Sequence, residues 1–417
     1  MAEKWSEEKA WSWYNERPWI RGCNFMGSDC ANRIDQWQEY DFEQKLETAK
    51  TELKLAAETG FNSIRIIPEF FVWEKEHDGF MQRFERYIEA AHKNGISCTV
   101  VLGNDCVPPK EEALKRLYLG EQKVDWGYHG GRKVSQHGSF DESGYSLTDE
   151  TENEQKFCEF VRELVTRYRD DDRIIMWDVF NEPGNSGRKS KSLPLMKKLF
   201  EIIREIDPIQ PLTVGVWNCS NGIGKLSEIE KFGLDNSDIV SYHSYGPFTE
   251  NIEIIYELKK LGRPIINTEW LARCLKNKVE EMFPLFFLER IGCYNWGLVA
   301  GKYQTYEPWE GMWDSYYKDP EKSSWDFEKW FHDLYRPSLR PYNPKEIELI
   351  RHYSSLADKN FNKYRVKANS GFKMRPEFFL LFTGSIICTL PIPFSNRKSD
   401  FLFPESLYPK MNDIFTF

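Results

Sequence analysis

From Trp19 to Val299 the chain alternates short apolar runs with longer stretches whose apolar positions recur every three or four residues. The short runs are strand-length: Trp19–Phe25, Phe61–Pro68, Ile96–Leu102, Ile174–Phe180, Pro211–Trp217, Ile239–Tyr245, Pro264–Glu269 and Gly292–Val299. Between them, the periodicity predicts helices over Glu43–Thr59, Met81–Lys93, Glu154–Tyr168, Leu195–Ile206 and Ile252–Leu261. The first of these sets Leu46, Ala49, Leu53 and Ala56 on one face, and Gly60 is placed to end it. Eight strands alternating with helices predict an α/β fold, a (β/α)8 barrel filling residues 1–365. An open doubly wound sheet would need a Gly-rich phosphate loop after its first strand. That position reads Gly22-Cys-Asn-Phe-Met-Gly27, with Asp29 beyond it and no helix start.

Two long insertions follow strand C-termini: Cys106–Glu150 after the third strand and Lys302–Pro344 after the eighth. Barrel enzymes keep their chemistry on that face. Both insertions are rich in rings, with Trp126, Tyr128 and His129 in one and Trp309, Trp313, Trp325 and Trp330 in the other. Ile347–Leu356 is expected to supply the closing helix. From Val366 the composition changes, and five prolines from Pro376 to Pro409 interrupt every candidate element. Residues 366–417 are therefore expected to form a tail that packs loosely or stays unstructured and is dispensable for chemistry.

Composition narrows the function. The 417 residues carry a net charge of −9, which argues against a nucleic-acid partner held by phosphate contacts. With 15 Trp, 20 Tyr and 29 Phe, the chain has the flat rings that stack on sugar faces, although a large core uses rings as well. Nine scattered Cys suit reduced thiols better than a disulfide framework. The first nine residues hold no apolar run, and Phe378–Phe394 is short for a span and contains two prolines. A cytoplasmic protein without a membrane partner is expected.

Two strand ends carry the strongest chemical signal. Trp177-Asp-Val-Phe-Asn-Glu-Pro183 closes the fourth strand on Glu182, and Pro264-Ile-Ile-Asn-Thr-Glu-Trp270 closes the seventh on Glu269. Across a barrel mouth such lips can face each other. Two opposed carboxylates are what glycosidic cleavage requires, one to protonate the leaving oxygen and one to attack the anomeric carbon or activate water. A single strand-terminal Glu would more simply be a solvated or capping acid; the pair is harder to explain that way.

On these residues the chain resembles the family 5 glycoside hydrolases and their clan of retaining (β/α)8 enzymes, and more narrowly bacterial proteins named cellulase or β-1,4-xylanase. The resemblance implies Glu182 as acid/base and Glu269 as nucleophile. It also implies Arg65 as the arginine bonded to the nucleophile, Asn181 on the sugar 2-hydroxyl, His243 and Tyr245 as the His-x-Tyr pair, and Trp296 as the floor of the sugar site. The family's strand-three histidine is missing: the chain reads Leu102-Gly-Asn-Asp105 there, so Asn104, Asp105 or His129 is expected to take over its contact. Asn24 and Trp217 complete the expected substrate contacts. Neither a metal nor another cofactor is implied. Arg65 and Tyr245 are expected to depress the Glu269 carboxyl so that it stays ionised. The reading is a retaining hydrolase of a β-linked oligosaccharide or glycoside. The alternative is a carbohydrate-binding barrel without catalysis. An aldolase or isomerase would want a strand-end Schiff-base lysine, and only Lys302, beyond strand eight, comes close.

Overall fold

In the computed structural model, which describes residues 3–131, 142–321 and 325–369, eight parallel strands close into a barrel. They are β1 (Arg21–Asn24), β2 (Ser63–Ile66), β3 (Ser97–Asn104), β4 (Ile174–Asn181), β5 (Leu212–Val216), β6 (Val240–His243), β7 (Ile265–Trp270) and β8 (Gly292–Trp296). Each pairs with its chain neighbours, and β8 returns to β1. All eight expected strands are present; most are trimmed at their ends, while β3 and β4 run one or two residues further, carrying Asn104 and Asn181 to the rim. The ladders of β4, β6 and β7 slip register near their C-terminal ends. A bulge there re-aims the side chains that follow it.

The five predicted helices form with shifted ends, the first as Phe42–Thr59. Gly60 stops it as expected: its φ of 104° is left-handed, and a Cβ there would lie 2.7 Å from that of Ser354 on the last helix. Two outer helices escaped the periodicity. Glu228–Asn236 is short, but Ser227 and Glu230 form a capping box that the sequence displays as Ser-Glu-Ile-Glu. Val279–Glu289 carries Pro284 in its interior, which disguises it. The last helix, Pro344–Asn369, runs through the expected boundary at residue 365, and the unit holding the barrel extends over Met1–Ser370. The rest of the expected tail, residues 370–417, lies outside the described residues. Among the described residues, no helix is long and apolar enough to cross a membrane.

Another unforeseen helix, Glu7–Asn15, plugs the barrel floor. Ser6 caps it by accepting from the Lys9 amide at 3.1 Å. Trp13 and Tyr14, with Trp5 just ahead of the helix, pack against Ile20, Met176, Ile239, Ile266 and Tyr294 at the bottom of the strands. Above that apolar floor the lumen turns polar. The Tyr294 hydroxyl bridges Ser63 at 2.8 Å and Thr99 at 2.9 Å, and Thr213 donates to Ser241 at 2.8 Å. These bonds satisfy hydroxyls that would otherwise be costly to bury. They lead upward to the charged layer at the mouth.

If the floor helix is part of the core, Trp13→Ala should cost about 3–5 kcal/mol, as for other large-to-small changes at buried rings. Urea unfolding measures this directly. A loss under about 1 kcal/mol would mean the helix rides on the outside.

Candidate active site

Arg65 stands at the centre of the mouth, fully buried on β2. Its five N–H donors all find acceptors. Nε and Nη2 donate to Asp178 at 2.9 and 2.8 Å, Nη2 also to Asn181 at 2.6 Å, and Nη1 to Asn24 at 2.7 Å and Glu269 at 2.8 Å. Burial works against its charge, but Asp178 and then Glu269 outweigh that, and the guanidinium is held more firmly protonated than usual. Residues from three other strands are thereby tied to one planar cation.

The two glutamates are 6% and 5% exposed and meet around His243. Its Nδ1 lies 2.7 Å from Glu182 Oε1 and 3.4 Å from Glu269 Oε2. One ligand atom from each of the three residues lies within 4.8 Å of the other two. A divalent ion could span such a group, but Arg65 already holds a fixed positive charge 2.8 Å from Glu269. Glu269 Oε2 also accepts from the Tyr245 hydroxyl at 2.8 Å. Burial raises the Glu269 carboxyl above its ordinary range. The Glu182 charge pushes the same way, while His243, Arg65 and Tyr245 oppose them. The expected depression by Arg65 and Tyr245 is thus reversed, because removing a carboxylate from water is the larger effect.

The backbone is bent to make this fit. Glu182 sits just past β4 with a φ of 45°, left-handed for a residue with a side chain, a strain of about 1–3 kcal/mol that its surroundings must hold. Its amide still donates to Gly215 on β5 at 3.0 Å. Gly215 has no room for a side chain: a Cβ would come 2.6 Å from His243 Nε2.

Several residues expected to contact sugar also brace the site. Both ends of the Asn24 amide are spent, on Arg65 and on the Thr268 carbonyl at 2.8 Å. Asn104 bonds to the backbone of Cys106 and accepts from Asn181 at 2.9 Å. Asn181 gives its carbonyl to Arg65, leaving for a sugar only the amide hydrogen now lent to Cys106 Sγ at 3.5 Å. Asp105 is buried on Arg188, Ser192 and the Gly184 amide, and so holds the loop after Glu182. The Trp217 indole N–H donates to the Pro183 carbonyl at 3.2 Å, bracing the same turn. Trp296 does lie at the mouth, but His129 from the strand-three insertion stacks on it, with centroids 4.9 Å apart and planes at 19°. Trp270 belongs to the core, against Phe283 and Phe286.

Sequence reasoning missed three contributors. Asp178, the counter-ion of Arg65, was visible as an acid inside an apolar strand. Cys106 donates its thiol to Glu182 Oε2 at 2.8 Å; burial, then the Glu182 charge, raises that thiol so that it stays protonated. Asn185 donates to the same oxygen. Two cavities adjoin the site. One of about 60 Å³ touches Arg65, Trp296 and His129; one of about 160 Å³ lies beyond Asn104 and Cys106. Neither is lined by the glutamates, which are buried.

A parallel barrel with paired, buried carboxyls at its C-terminal mouth defines a class of glycoside-cleaving enzymes. The chain matches the family model Cellulase (glycosyl hydrolase family 5) over residues 21–301, and it belongs to that family, whose members are retaining glycoside hydrolases. No curated protein matches it. Its fold is similar to that of a family 5, subfamily 18 variant from Streptomyces cattleya in complex with Manβ1-4GlcNAc (TM-score 0.53, 11% identity, 81% of this chain and 80% of that one). It is also similar to an exo-β-1,4-mannosidase from Opitutaceae bacterium strain TAV5 (TM-score 0.51, 13% identity, 82% and 60%). An endo-β-1,4-mannanase from Thermotoga petrophila gives a TM-score of 0.50 at 17% identity (82% and 77%).

Arg65→Met should destabilise the protein by about 3–5 kcal/mol, because it leaves Asp178 and Glu269 buried without their cation. Adding Asp178→Leu should recover part of that loss in a denaturant titration. If the second change instead adds its own full cost, the two residues do not act as a pair.

Proposed function

We propose that this hydrolase cleaves a short β-linked oligosaccharide or glycoside by double displacement, with Glu269 as nucleophile and Glu182 as acid/base. The observation that carries this reading is the short gap between the glutamates. An inverting pair would stand roughly 6.5–9.5 Å apart to admit a water, whereas single oxygens of these two fall within 4.8 Å.

The donors divide the roles. Two carboxyls this close and this dry share one proton. Arg65 and Tyr245 both donate to Glu269 and draw the negative charge there. Glu182 Oε2 is occupied by Cys106 and Asn185, which leaves Oε1 to carry the proton against His243 Nδ1. On attack, Glu269 bonds to the anomeric carbon and Glu182 passes its proton to the departing oxygen. With the nucleophile's charge consumed, Glu182 ionises more readily and deprotonates the incoming water. Intact carboxyls with this support favour catalysis over the inactive sugar-binding alternative.

A short substrate suits buried glutamates flanked by cavities of about 60 and 160 Å³ better than a polymer does. The eight described cysteines are all free, which suits the reducing cytoplasm proposed for the protein. The named structural neighbours act on or hold β-linked mannosides, so an aryl β-mannoside is the first substrate to screen, beside the β-glucoside and β-xyloside.

A 2-deoxy-2-fluoro analogue of whichever aryl glycoside turns over should label Glu269 covalently, as peptide mass mapping would show. Label on another acid would overturn the roles. The pH profile of kcat/KM should be a bell. Activity needs Glu269 ionised, so it falls as pH drops through a carboxyl that burial holds above the usual value of about 4.3. In Glu182→Gln the basic limb should vanish for good leaving groups and azide should restore turnover. The acidic limb should stay, since Gln matches the neutral acid it replaces. A basic limb that persists in this variant would count against Glu182 as the acid.

A further inference from the structure

His332 belongs to the insertion after β8, outside the stretch that matches the family, yet its ring stands at the catalytic mouth. It is fully buried. Its ring centroid lies 5.3 Å from that of Tyr245, the residue bonded to Glu269, and 5.2 Å from that of His129, which covers Trp296. Trp309 lies on a further side at 6.1 Å.

The ring's hydrogen-bond state is set by one neighbour. Nδ1 meets the carbonyl oxygen of Leu271, just past β7, and a carbonyl can only accept. The proton is therefore on Nδ1, and Nε2 on the opposite edge presents a bare lone pair. Burial keeps the ring neutral, with its pKa lowered to about 3. Nε2 finds no partner among the described residues, and neither does the indole N–H of Trp296. A buried acceptor and a buried donor are thus left open in one aromatic nest. Leaving such atoms unpaired costs about 1–3 kcal/mol each, unless a ligand completes them.

We infer that Nε2 of His332 accepts a hydrogen bond from a hydroxyl of the sugar bound against the glutamates, with the Trp296 indole as the matching donor. This rests on the sugar-cleaving reading above and deepens it. The hydrolytic groups come from the barrel strands, whereas the residue that reads the sugar comes from the insertion. A bare acceptor pairs with the hydrogen of a hydroxyl and gains nothing from an ionised carboxylate, which has none to give. The hydroxyl it reads is one whose removal or inversion the enzyme will not tolerate.

The test uses the full chain labelled with ¹⁵N-histidine and D-mannose, D-glucose and D-xylose as probes, with binding followed by tryptophan fluorescence. The unprotonated Nε2 resonance, assigned by its absence in His332→Phe, should move as the sugar that binds approaches saturation. A resonance that stays fixed while fluorescence saturates overturns the inference. In kinetics, His332→Phe keeps a ring but loses the acceptor, and should lower kcat/KM for the best aryl glycoside by about 10- to 100-fold. One monodeoxy analogue should lose the same factor with the wild type and nothing further with the variant. If every deoxy analogue loses equally in both proteins, His332 reads no hydroxyl. Should no aryl glycoside turn over while the sugar still moves Nε2, the hydrolase reading fails and the His332 contact stands.

Discussion

One buried cation organises this molecule. Moving a guanidinium into a barrel lumen is expensive unless every donor is met, and Arg65 meets all five. The acceptors come from β1, β4 and β7, so strands far apart in the chain must arrive at one height and one orientation around it. Asp178 neutralises the charge, which frees the second carboxylate, Glu269, to keep a negative charge beside a cation that is already paired. Asn24 and Asn181 lock the plane of the fork.

Much of the local irregularity follows from seating groups around that fork. Ladder slips fall near the ends of β4, β6 and β7, where Glu182, His243 and Glu269 stand. The left-handed backbone at Glu182 turns its carboxyl back toward His243 instead of out along the strand. Asp105 and Arg188 hold the loop beyond it, so the strain is resisted from both sides. Gly215 completes the arrangement by absence: only a residue without a side chain leaves the His243 ring its place.

The sequence disclosed the parts of this that local pattern encodes. Strands buried on both faces read as apolar runs, and all eight were legible. Each of the paired glutamates was legible because it ends such a run. The braces were not, because an amide that will bond Arg65 looks the same in sequence as one that will bond a sugar. Asn24 and Asn104 were assigned to substrate from their places at strand ends, and Asn181 from the family resemblance, with no sign in either of their bonds to Arg65 and to one another. The Glu269 carboxyl was misjudged for a related reason: its charged neighbours can be guessed from motifs, whereas its dryness is a property of the packed rings above it. Cys106 opens an insertion with no regular pattern, and nothing local marks it as a donor to Glu182. The floor helix was overlooked because its apolar positions are few, though Trp5, Trp13 and Tyr14 are large ones.

These limits also say where specificity is written. Residues 21–301, which match the family, hold both glutamates and Arg65, and their geometry is bound to one reaction by the buried charges. Changing any of them leaves a charge unpaired, so that layer resists variation. The rings above it pack on one another: His129 stacks on Trp296, while Tyr245 and His332 lie edge to face with Trp309 and His129. A stacked ring can be exchanged for another ring at small cost in stability, since its contribution is mostly area and shape. The insertions after β3 and β8 are therefore the part of the chain free to answer to a particular sugar, while the charged layer beneath them is held to the cleavage itself.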